Sequence, residues 1–198
     1  MNINDKVSVE TIIAQLVERQ YHVPLTPSTI WSNTLQQQIE QLHSYRHDTA
    51  GLTLIAALHL LNDDLDLSHS YAQQIEHDRT GAYWHGIMHR MEGDYPNAKY
   101  WFRQAMPHPI SDKVARLVAQ SLLHTDFAEW TFIEDNSQVK QILLQFKAGH
   151  FSSALLTDLV QQSSNAIASV PKWTLLLQQI QAIELEQLFL HTKLAVHV

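Results

Sequence analysis

The chain contains no cysteine, which removes disulfide frameworks and thiolate metal sites together and leaves His, Asp and Glu to hold any metal ion. Turn-forming residues are also scarce, with five glycines and six prolines among 198 residues. Basic residues are outnumbered, 13 Lys plus Arg against 20 Asp plus Glu, for a net charge of -7. No cationic surplus exists to displace counterions from a phosphate backbone, so nucleic acid is not an expected partner. Long apolar runs are missing too. The longest, LTLIAALHLL at 52–61, is far short of a bilayer span, and the opening MNINDKVSVE is charged where a secretory signal needs an apolar core. These absences predict a soluble, cytoplasmic protein with no membrane partner. Neither a Gly-x-Ser-x-Gly elbow nor a glycine-rich phosphate loop is present, which argues against serine hydrolase and P-loop chemistry.

What is present is apolar periodicity. Hydrophobic residues make up 45% of the chain and recur at spacings of three and four rather than two. That pattern predicts an all-α fold, a single domain over 1–198 built of about eight to ten helices in antiparallel hairpins. The first helix is expected from Ser8 to Gln20, with Ile12, Ile13, Leu16 and Val17 buried, and a second, started by TPST, from Pro27 to His47. Further helices are expected over 50–61, 66–77, 81–92, 96–106, 111–124, 137–148, 152–163 and 172–192. Residues 124–138 form the one long loop, with Trp130, Phe132 and Ile133 suggesting that it packs down. The C-terminal helix is apolar enough to pack within the chain or across a homodimer seam.

The chain also repeats itself. Shifted by 30 residues, TLIAALHLLNDDLDLSHSYA at 53–72 lies over YWHGIMHRMEGDYPNAKYWF at 83–102, pairing His59 with His89, Ala56 with Gly86, Asp64 with Asp94 and Ser68 with Ala98. Small residues paired with small residues are what two helices need at their closest approach. A third echo, GHFSSA at 149–154, repeats the Gly-x-aromatic-x-x-Ala of GDYPNA at 93–98. Gly86, the turn GDY, Ala98, Phe102 and the following Pro109 resemble the tetratricopeptide pattern, which implies stacked helix hairpins and a groove that binds peptides. Where that pattern carries Trp, Leu and Tyr on its first helix, this chain carries Ala82, His85 and His89. The stretch from Tyr83 to Pro109 is also similar to a signature in a group of uncharacterised proteins, from which no activity follows.

Candidate chemistry concentrates in that hairpin. On a helix, His85, His89 and Glu92 fall on one polar stripe beside the apolar Trp84, Ile87, Met88 and Met91. Two imidazoles four residues apart share a metal ion readily, and a carboxylate one turn on makes a third ligand with a position left for water, as catalytic zinc prefers. His108 is an alternative third ligand. The zincin glutamate is missing, because Gly86 follows His85. The plainer alternative is that both histidines are packing groups satisfied by neighbours, with Glu92 and Asp94 paired to Arg90 and Arg103, Trp84, Trp101 and Phe102 in the core, and Asp63 and Asp64 capping a helix.

Two functions follow. In one, a groove of the 81–108 hairpin binds a peptide segment or small anionic ligand through Arg90, Asn97, Tyr100, Arg103 and His108. In the other, His85, His89 and Glu92 are catalytic, as ligands of a divalent ion such as zinc or as acid/base groups acting on a small anionic substrate.

Overall fold

The structure is a computed structural model that describes residues 8–19, 23–45, 47–125, 136–163 and 171–196. Among them there is no strand, and the helices follow one another as α1 (Val9–Glu18), α2 (Asn33–Glu40), α3 (Thr49–Leu61), α4 (Leu65–Ala72), α5 (Arg79–Glu92), α6 (Tyr95–Ala105), α7 (Ser111–Leu122), α8 (Ser137–Lys147), α9 (Ser153–Gln162) and α10 (Pro171–Val196). The all-α bundle expected from the apolar spacing is what the backbone forms. No described helix is long and apolar enough to cross a membrane.

Helix starts are written in short polar side chains. Ser8, Ser32, Asp48, Asp64, Asp78, Asp94 and Asn136 each accept a hydrogen bond from the backbone N–H three residues on, which satisfies a donor that the helix itself leaves open. The expected helix over Pro27 to His47 is corrected by such a cap. Trp31 N–H donates to the Asn62 carbonyl at 2.9 Å, and the Asn62 side chain exchanges hydrogen bonds with the backbone of Ser32 at 3.1 and 2.9 Å. This long-range clamp holds Ser32 extended, so α2 starts only at Asn33, and past Glu40 the chain closes into a 3-10 turn over His43–Tyr45. The expected 66–77 helix likewise ends at Ala72 and tightens into a 3-10 turn over Gln73–Ile75. Val17, expected inside, is 39% exposed. Of the long loop at 124–138, residues 126–135, with Trp130, Phe132 and Ile133, lie outside the described residues.

The sequence repeat is a repeat of helix ends. At each of the three echoes the chain leaves a helix through one left-handed residue, Asp63 (φ 60°), Gly93 (φ 92°) and Gly149 (φ 85°). The next N–H then reaches back five residues: Asp64 to His59, Asp94 to His89 and His150 to Gln145, each at 2.9 Å. Two tight hairpins, α3–α4 and α5–α6, are built on the first two turns and lie side by side through α4 and α5. Gly86 of α5 faces the Phe102 ring of α6. A Cβ there would stand 2.8 Å from ring carbons of Phe102.

One apolar cluster runs from Ile12 in α1 through Trp84 in α5 to Leu188 in α10. The last helix packs within the chain against α3, α7 and α9. It leaves Leu175, Leu190 and Leu194 exposed. Inside the cluster stands a buried ion pair, Arg90 Nη2 to Glu184 Oε2 at 2.5 Å, with the Tyr83 hydroxyl 3.0 Å from Glu184 and 2.7 Å from Ser153 Oγ. Burial, then the neighbouring Glu184 carboxylate, pushes the Tyr83 phenol well above its ordinary pKa. The expected pairing of Arg90 and Arg103 with Glu92 and Asp94 is therefore corrected: Arg90 turns inward to α10, Glu92 turns to His89, and Asp94 caps α6.

Candidate metal centre

His85 and His89 lie one turn apart on α5 with ring centroids 4.7 Å apart. The partner that completes them is on the preceding helix. His69 of α4 stands with its ring centroid 4.9 Å from His85 and 5.0 Å from His89, and one ligating atom of each histidine lies within 4.8 Å of the others. The three imidazoles make a near-equilateral triangle because α4 packs along α5. A tetrahedral zinc with Zn–N bonds of about 2.0–2.1 Å spaces its nitrogens about 3.4 Å apart, against separations of up to 4.8 Å between the ligating atoms here.

The surroundings suit neutral imidazoles. His85 is 2% exposed and His89 4%. Burial first, then the neighbouring His89 and His69, push the pKa of His85 down to about 3. Burial also lowers that of His89, against the opposing pull of Glu92. At neutral pH His85 is thus the uncharged imidazole, with one N–H and one lone pair, the form from which metal ligation proceeds. Both ring nitrogens of His85 are buried without a hydrogen-bond partner among the described residues. Buried polar atoms are normally satisfied, so two unmet acceptor or donor positions on one ring need a reason. The indole of Trp101 stacks on the His85 ring, 4.1 Å between centroids with the planes 18° apart.

Glu92, expected as a ligand, instead holds His89: its Oε2 lies 3.0 Å from Nδ1. A carboxylate bonded to the far nitrogen of a ligating histidine fixes its tautomer and raises its basicity, which is the usual outer support of a metal site. The side-chain amide of Asn97 lies 3.0 Å from Nε2 of the same ring. His108, the alternative third ligand, lies elsewhere. It packs edge-on to Tyr83 and His191 and shares a 3.2 Å hydrogen bond with Thr80, and burial followed by His191 lowers its pKa to about 4.

The remaining residues of the expected ligand groove are divided between three places. Arg90 is fully buried against Glu184, so it offers no exposed charge. Tyr100 is exposed and packs its ring edge against Trp101. Arg103 lines a different site, a cavity of about 310 Å³ shared with Tyr83, Phe102, Met106, Ser111 and Phe151. Sequence reasoning missed His69. Its one signal was indirect: His69 falls opposite Lys99 in the repeat, on the helix that the repeat itself places beside α5.

Nothing matches the chain in comparisons with protein-family models, curated proteins and solved structures.

Proposed function

We propose that this chain is a divalent-metal-binding helical protein in which His69, His85 and His89 hold the ion, zinc by preference. The observation that carries this reading is the convergence of three imidazoles from two helices, the half-buried His69 and the buried His85 and His89, with both nitrogens of His85 unmet among the described residues. Neutral nitrogen donors without thiolate suit zinc and its divalent neighbours better than magnesium or calcium, which take oxygen ligands. Three histidines leave a fourth position for water, the arrangement used where zinc activates that water, and so the metal version of the enzymatic reading is the one that the site supports. Glu92 acts through His89 as its orienter, not as a ligand. The test is calorimetric titration of the full chain, without a histidine tag, with zinc. One equivalent should bind, and His69→Ala and His85→Phe should each abolish binding while the helical circular dichroism persists. Equal binding by wild type and His69→Ala would overturn the reading.

A second reading rests on the Arg103 cavity. Of the helices whose N-cap is described, only α7 and α9 lack a side-chain cap hydrogen bond, and Ser111 of α7 and Ser152 to Ala154 of α9 line this cavity. The uncapped start of α9 and a guanidinium in a mainly apolar chamber support binding of a small anionic ligand with an aliphatic body; the Ser111 N–H at the start of α7 is already bonded to the His108 carbonyl. Octanoate should bind the wild type and bind Arg103→Met more weakly; equal binding would remove the proposal.

A further inference from the structure

His89 is held from both sides, and the two partners determine where its proton sits. Glu92 Oε2, 3.0 Å from Nδ1, can only accept, so Nδ1 carries the hydrogen. The Asn97 Nδ2 amide, 3.0 Å from Nε2, can only donate, so Nε2 presents its lone pair. Both contacts are satisfied by one neutral tautomer. With Nδ1 engaged, Nε2 is the nitrogen that His89 has for an ion, and it is the one that Asn97 occupies. No protein group contests His85 in this way, since both of its nitrogens are without a partner among the described residues.

We propose that Asn97 is a place-holder that competes with the metal ion for the Nε2 lone pair of His89, so that loading the site requires the Asn97 amide to turn away. This inference rests on the metal-binding reading above and adds to it a residue that sets the affinity. The movement is confined to the side chain. Asn97 is anchored by its backbone N–H, which donates to Asp94 Oδ1 at 3.3 Å at the start of α6, so the amide rotates out without unwinding the helix. The amide is half-buried and near the surface, where water replaces the bond that it gives up. Glu92 has the opposite effect on the same ring: it keeps Nδ1 protonated and Nε2 free to ligate. One histidine thus carries a supporting carboxylate on one nitrogen and a competing amide on the other.

The experiment is competition for zinc between a chromophoric chelator and the full chain without a histidine tag, for wild type, Asn97→Ala and Glu92→Gln. Removing a competing neutral hydrogen bond should tighten zinc binding about three- to tenfold in Asn97→Ala. Removing the orienting carboxylate should weaken it about tenfold in Glu92→Gln. If wild type binds zinc and Asn97→Ala binds it equally well or more weakly, the place-holder role is overturned and the metal site stands; weaker binding would instead make Asn97 Oδ1 a ligand. If no variant binds zinc, the metal reading falls and takes this inference with it. Circular dichroism of each variant should match the wild type, and long-range proton–nitrogen spectra of His89 should show the Nε2 resonance move in Asn97→Ala without metal, a change that loss of a merely structural contact elsewhere would not produce.

Discussion

The hairpins α3–α4 and α5–α6 share one turn geometry and give their histidines different surroundings. In the first, His59 is held on one nitrogen only: its Nδ1 lies 2.9 Å from Asp64 Oδ2, its ring stacks on Tyr71, the same Asp64 also caps α4, and its buried Nε2 has no hydrogen-bond partner among the described residues. Burial pulls Asp64 upward, but His59, the cap bond and Gln36 outweigh it and its carboxyl stays below the usual range. In the second, the two tasks are separated, with Asp94 capping α6 and Glu92 holding His89. Leu60 of the first hairpin is replaced thirty residues later by Arg90, and the pair Ala56 and Ala72 by Gly86 and Phe102. The frame tolerates these exchanges because each is compensated locally: the arginine by Glu184, the phenylalanine by the missing methyl of Gly86. What distinguishes a structural histidine from a candidate ligand here is the division of labour between two carboxylates together with a third ring from the neighbouring helix.

The comparison breaks most severely at the ion pair. Glu184→Leu strands a fully buried guanidinium that already has Nε and Nη1 without partners, and should cost about 3–5 kcal/mol in denaturant unfolding. The double variant Arg90→Leu/Glu184→Leu, which restores the leucine of the first hairpin, should recover most of that loss; a double variant as unstable as the single would contradict the equivalence of positions 60 and 90.

At the helix crossing the expected effect is smaller. Gly86→Ala imports Ala56 of the first hairpin but drives a methyl into the Phe102 ring, an overpacking cost of about 1–3 kcal/mol set against a gain of about 1 kcal/mol in helix propensity. In a Phe102→Ala background the same change should be neutral or stabilising. Equal effects in both backgrounds would show that Gly86 is not matched to Phe102.

Smallest is the turn. Gly93→Ala adds a Cβ with nothing within 4 Å, so its cost is purely that of the left-handed backbone, about 1 kcal/mol by thermal unfolding. A loss of several kcal/mol would mean that the glycine is needed for more than its φ of 92°.

The fold was legible because its signals are local. Apolar spacing gave the helices, and the repeat marked three helix ends that share one hydrogen bond. The start of the second helix was not legible, since it depends on Asn62, which lies 30 residues from Ser32 in the chain. The same limit applies at the candidate site. His85, His89 and Glu92 sit on one stripe and were found by helical spacing, whereas His69 enters from α4 and Glu184 reaches Arg90 across 94 residues. Neither of these leaves a periodic trace. Spacing also could not distinguish a carboxylate that ligates from one that orients, because both lie one turn from the same ring.

The most direct measurement is zinc K-edge absorption spectroscopy on the full chain loaded with one equivalent of zinc. The account predicts a first shell containing three imidazole nitrogens at about 2.0–2.1 Å, completed by one light atom, and a loss of one imidazole or of the metal altogether in His69→Ala. A shell made of oxygen alone, or a spectrum indifferent to His69, would contradict it.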